Sequence, residues 1–89
     1  MALILVKYGV HHPIEKTKLE CANEHDHVVL IQDGVFWAVM DEIQEVKGNV
    51  YALREDFCAR GYQEESAHVS LISYPELVDI IEKEEKMIG

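Results

Sequence analysis

Two short stretches of unbroken hydrophobicity constrain this chain more than any other feature: Ala2-Leu3-Ile4-Leu5-Val6 near the start and Val28-Val29-Leu30-Ile31 further on. A strand without polar alternation is buried on both faces, and a sheet buried on both faces is typically parallel and covered by helices. The punctuation between the runs agrees. A first strand is predicted over residues 2–8, with Gly9 as its breaker. Pro13 then opens a helix over residues 14–23. A second strand over residues 28–32 meets the turn signal Asp33-Gly34, and a helix over residues 35–45 ends at Gly48-Asn49. A third strand covers residues 50–53, followed by a short helix over residues 55–60 that Gly61 stops. A fourth strand covers residues 69–73. Ser73 and Glu76 then stand at the spacing of a capping box and open a last helix that runs to about Lys86. Strands alternating with helices four times predict an α/β fold: a mainly parallel sheet of about four strands, helices on both faces and right-handed crossovers. A chain of 89 residues is expected to form one domain over residues 1–89.

Charge and cysteine usage narrow the function. Seventeen acidic side chains against eight basic ones give a net charge of -9, which argues against direct, phosphate-driven contact with nucleic acid. No apolar run is long enough to span a bilayer. The apolar start lacks a basic leader before it, so it reads as a strand and the expected setting is the cytoplasm, away from membranes. Two cysteines, Cys21 and Cys58, are too few for a disulfide scaffold and are read as reduced thiols.

The run Val35-Phe36-Trp37-Ala38-Val39-Met40 would wrap the whole circumference of a helix. One side can face the sheet; the other, carrying Trp37, calls for a cover. Val35, Phe36, Trp37 and Met40 are therefore the candidate interface with a partner chain. The alternative is that Trp37 folds back over the edge of its own sheet.

Open parallel sheets bind ligands at the carboxyl ends of their strands. Here that rim would hold Tyr8, Gly9, His11, His12, Asp33, Gly34, Arg54, Glu55, Asp56, Ser73 and Tyr74, with His11, His12, Asp33 and Gly34 as the candidate pocket. His25 and His27 precede strand two while His11 and His12 follow strand one, so the two pairs lie at opposite ends of the sheet and no metal site is expected. No phosphate-cradling glycine loop follows the first strand, and no cofactor is implied. A thiol that carries sulfur must be reachable. Cys21 shares a helix face with Ile14 and is expected to be half-buried. Cys58 lies two residues before Arg60 on a short helix, and a buried, unreactive role competes with the functional one for both thiols. The charged tail Glu82-Lys83-Glu84-Glu85-Lys86 reads as a solvated face or a docking patch for a basic partner.

Three segments resemble one family in order: Val29-Leu30-Ile31-Gln32-Asp33-Gly34-Val35, then Val50 to Gly61 with Arg54-Glu55-Asp56 and Ala59-Arg60-Gly61, then Ile72-Ser73-Tyr74 before an apolar helix. They are similar to the bacterial TusB and DsrH sulfur-relay subunits. The resemblance implies a three-layer α/β/α fold of the DsrE/F/H type. It also implies oligomers with related subunits or with further copies of the chain, and passage of persulfide sulfur between proteins. In one branch this serves 2-thiolation of the tRNA wobble uridine; in another, sulfur oxidation. The family's cysteine chemistry belongs chiefly to a sister subunit, although some members carry a cysteine on the first helix. That makes Cys21 the first candidate acceptor and Cys58 the second. The competing readings are a non-catalytic scaffold of the same fold, which keeps its function without either cysteine, and a small-ligand binder at the rim.

Overall fold

The structure is a computed structural model, and it describes residues 3–9, 13–83 and 87–88. Its elements follow in the order β1 (Leu3–Val6), α1 (Pro13–Glu20), β2 (His27–Leu30), two consecutive 3-10 helices (Gln32–Val39 and Asp41–Glu45), β3 (Asn49–Leu53), α2 (Arg54–Ala59), a 3-10 turn (Glu64–Ser66), β4 (Ser70–Ile72), α3 (Tyr74–Lys83) and β5 (Met87–Ile88). The five strands form one sheet in the order β4-β3-β2-β1-β5, and every pairing is parallel. The four expected strands are present. The two-residue β5, paired with Leu3 and Ile4, is an addition that so short a segment does not announce.

This strand order decides the layers. From β1 to β4 each connection steps in the same direction across the sheet, and the connection from β4 to β5 travels back. Crossovers of one hand must place the first three connections on one face and the return on the other. The packing follows that rule. Ile4, Val6, Val28, Leu30 and Ala52 point to the face where Leu19 of α1, Val35, Trp37, Ala38 and Ile43 of the 3-10 helices, and Phe57 of α2 are buried. Leu3, Val29, Leu53 and Ile72 point to the other face, covered by Leu77, Ile80 and Ile81 of α3. Alternate residues of each apolar strand thus feed both layers, and the expected α/β/α sandwich is observed.

The region after β2 departs from expectation. A helix was predicted over residues 35–45; instead there are two 3-10 helices separated by Met40 in extended backbone. Burial within the first has a period of three: Gly34, Val35, Trp37 and Ala38 are buried, while Asp33 is exposed and Phe36 and Val39 are half-buried. With 3.0 residues per turn, residues 33, 36 and 39 line up on the outside and the other two positions of each turn face the sheet. The hydrophobic run therefore does not wrap a cylinder. Trp37 is only 3 % exposed, and its Nε1 donates to the Tyr8 carbonyl at 3.1 Å. The need for a partner to cover Trp37 and Val35 is thus removed: both are covered by their own chain, and of the four candidate interface residues only Phe36 and Met40 keep partial exposure.

Boundaries shift by smaller amounts. β1 stops at Val6 and β2 at Leu30, short of the expected Tyr8 and Gln32, because both chains leave the sheet into the rim described below. α1 ends at Glu20, followed by a turn in which Asn23 N–H bonds the Asp26 carboxylate at 2.9 Å. The expected helix stop at Gly61 is observed: its φ is +84° and its N–H bonds the Cys58 carbonyl at 3.0 Å. At the start of α3, one Glu76 carboxylate oxygen accepts from both the N–H and the hydroxyl of Ser73, at 3.1 and 3.0 Å. Those two bonds hold Glu76 below the usual carboxylate range. The expected last turn of this helix, up to Lys86, lies outside the described residues beyond Lys83.

Gly34 is where the sheet tolerates no side chain. A Cβ there would lie 2.0 Å from the Val6 carbonyl oxygen, a backbone atom that cannot swing away. Gly34→Ala is therefore expected to destabilise the fold by about 3 kcal/mol, since the first 3-10 helix must lift off β1. Urea unfolding measures this, and an unchanged midpoint would contradict the close approach.

Candidate functional site

The carboxyl ends of β1, β2 and β3 gather the rim residues that the topology singles out, and most of their polar groups are engaged with one another. Gln32, the residue after Ile31, adopts a φ of +52°, an uncommon conformation for a side chain other than glycine. Its N–H is held by the Asp56 carboxylate at 2.7 Å. Next to it, the Arg60 guanidinium donates through Nε to the Asp33 carboxylate at 3.0 Å. Two side chains of α2 and its cap, one turn apart, thus grip the loop that leaves β2. On β3's side, Arg54 pairs with Glu64 at 3.0 Å and reaches the Leu71 carbonyl at 3.4 Å. Glu55 accepts from the Tyr74 N–H at 3.3 Å. Of the candidate pocket residues, Asp33 and Gly34 are brought together here, Asp33 exposed and Gly34 buried, while His11 and His12 lie outside the described residues.

The end of β1 is held by a residue that sequence reasoning passed over. Glu15 is 1 % exposed, and one of its carboxylate oxygens accepts from the backbone N–H groups of Lys7 at 2.7 Å and Tyr8 at 3.0 Å. The other pairs with Lys18 at 2.8 Å, and the same ammonium reaches the Leu5 carbonyl at 3.3 Å. The reason is geometric. Val6 turns its carbonyl to Ile31 N–H of the β2 side, so Leu5 and Lys7 present backbone groups to the opposite edge, where β5 reaches only as far as Ile4. Glu15 and Lys18 occupy the edge beyond Ile4, which no strand among the described residues covers. Burial by itself would raise the Glu15 carboxyl, but the Lys18 ammonium and the amides of Tyr8 and Lys7 together carry it below its ordinary value near 4.5. The available signal was spacing: Glu15, Leu19 and Ala22 form the buried stripe of this helix, with a carboxylate where an apolar residue would be expected.

Both cysteines are free and exposed. Cys21 follows α1, its N–H bonded to the Thr17 carbonyl at 3.0 Å, and the half-burial expected from its pairing with Ile14 is not observed: Ile14 is 71 % exposed. Because α1 runs back along the sheet, Cys21 stands at the amino end of the strands, about 13 Å of strand from the rim. Cys58 lies on α2, between Asp56 and Arg60. The two thiols and the rim are therefore separate places rather than one constellation. A cavity of about 460 Å³ opens between α1 and the second 3-10 helix, over Leu19 and Trp37, and another of about 470 Å³ adjoins the turn at Asn23. Among the described residues no three His, Cys, Asp or Glu side chains gather where a metal ion could be held.

The overall fold is shared with known proteins. The family model for DsrH-like protein matches residues 11–87. The chain belongs to the DsrH-like family. Two NMR structures of the protein Tm0979 from Thermotoga maritima match this DsrH-like chain over 100% of both lengths, one at 54% identity with a TM-score of 0.82 and the other at 52% with 0.73. Tm0979 is described as a candidate sulfur transferase. No curated protein matches. Among the described residues of the DsrH-like chain, no helix is long and apolar enough to cross a membrane.

Glu15→Gln removes the ion pair and weakens two amide bonds, at an expected cost of about 2 kcal/mol at neutral pH. A lowered folded-state pKa contributes stability that is fully present above the ordinary glutamate value and lost as pH falls through the lowered one. The difference between wild type and variant should thus be largest above pH 4.5 and shrink in more acidic buffer. Denaturant titrations across pH read this directly, and a pH-independent difference would contradict it.

Proposed function

We propose that this DsrH-like chain is a subunit of a cytoplasmic sulfur relay that takes persulfide sulfur onto Cys21 and hands it on. Its destination is 2-thiolation of the tRNA wobble uridine, with sulfur oxidation as the other branch of the family. Its partners are other relay subunits or further copies of itself. The observation that carries this reading is an exposed, free Cys21 in a chain of this family. The description of Tm0979 as a candidate sulfur transferase supports it. Cys21 is preferred to Cys58 on its surroundings. It sits in the open connection between α1 and β2, and Glu20 beside it lines a cavity, so a partner's chain has room to approach. Cys58 stands on a helix whose neighbours Asp56 and Arg60 are engaged in holding the loop after β2.

The chemistry needs no cofactor. The Cys21 thiolate attacks the outer sulfur of a partner's persulfide, the partner's S–S bond breaks, and the partner leaves as a thiolate while a new S–S bond forms on Cys21. Attack by an acceptor's thiolate on the outer sulfur of Cys21 repeats the exchange and regenerates the thiol. The net charge of -9 suits relay from protein to protein, with tRNA held elsewhere.

Intact-protein mass spectrometry after incubation with a cysteine desulfurase and cysteine tests the reading. The wild type and Cys58→Ser should gain sulfur, and Cys21→Ser should not. A gain that survives in Cys21→Ser but is lost in Cys58→Ser would move the site. No gain in a fully reduced wild type would favour the scaffold.

A further inference from the structure

We propose that the groove between α1 and the second 3-10 helix is the docking site for a basic protein segment that carries a large apolar side chain. The inference goes beyond sulfur transfer and rests on the groove alone. Its floor is apolar, made by Leu19, Trp37 and Val46, and its volume of about 460 Å³ lies within the range of built binding clefts. Its walls are periodic. Lys16 and Glu20 stand one turn apart on α1, and Glu42 and Glu45 stand one turn apart on the 3-10 helix, so the carboxylates line both sides of the floor.

The charges of this groove are unspent. Among the described residues, none of Lys16, Glu20, Glu42, Glu45 and Lys47 makes an ion pair, whereas Lys18, Arg54 and Arg60 are each paired within their own chain. Three carboxylates, Glu20, Glu42 and Glu45, stand against the two ammonium groups of Lys16 and Lys47, and the adjoining cavity meets this one at Lys47. An apolar floor between carboxylate walls matches the build of arginine and lysine, whose stems lie on apolar surface while their heads take charge-assisted hydrogen bonds. The continuation into a second cavity favours an extended segment over a single small cation. The net charge of -9 adds long-range attraction for such a partner.

Trp37 is the single tryptophan, so its emission reports on the floor of the groove. The probe is a capped pentapeptide of lysine and arginine around a central leucine, titrated at low salt and followed by Trp37 emission and by calorimetry. Saturable binding is expected, weakened about tenfold in Glu42→Gln/Glu45→Gln. Glu65→Gln/Glu82→Gln removes the same charge from exposed sites elsewhere and should bind as the wild type does. No binding, equal weakening in both double variants, or equal binding of the acidic counterpart peptide would each overturn the proposal. All four substitutions are at exposed positions, and circular dichroism of the variants confirms that the fold is kept.

Discussion

The handedness of the parallel crossovers is the constraint on which the rest depends. Once β1, β2, β3 and β4 lie side by side in chain order, a single hand forces α1, the 3-10 helices and α2 onto one face. It leaves α3 to cover the other as the chain returns to β5. On that face the hydrophobic connection between β2 and β3 adopts 3-10 geometry and buries Trp37. The same constraint sends every strand's carboxyl end to one rim and every helix's return to the opposite end, which is why Cys21 and the rim are apart.

The two ends of the sheet consequently differ in character. At the carboxyl end, Glu15 ties down the exit of β1, Gly34 lets the next loop press on Val6, and Asp56 and Arg60 hold Gln32 and Asp33. These polar groups answer to each other, which makes the rim a structural junction. At the amino end, Cys21 is exposed, and among the described residues Lys16, Glu20, Glu42, Glu45 and Lys47 along the neighbouring groove make no ion pair. The thiol and the groove on which the proposed relay and docking rest both lie on this side.

The layered fold was legible because β1 and the Val28–Leu30 run of β2 are unbroken apolar stretches and breakers fall between the elements, with Ser73 and Glu76 marking one helix start and Gly61 one helix stop. The connection after β2 was not. Six apolar residues in a row fit an α-helix, a strand and a 3-10 helix alike, and only packing against the sheet selects the three-residue period that turns Trp37 inward. β5 was missed because two residues carry no pattern. Glu15 was missed because an acidic residue in the first turn of a helix is commonplace, and its role appears only once β1 is seen to outrun its neighbour. The groove was missed because its residues come from two elements far apart in sequence. The place of Asp33 and Gly34 on the rim was legible from topology, and the family was found from short motifs in order, now matched over residues 11–87.

The account turns on Cys21 carrying sulfur in the living cell. The direct measurement is to isolate the chain from its own cells under rapid alkylation and map each cysteine peptide by mass spectrometry. The account predicts a fraction of Cys21 with one additional sulfur atom and Cys58 as a plain alkylated thiol. Both cysteines found only as plain thiols, across growth conditions that demand sulfur transfer, would contradict it.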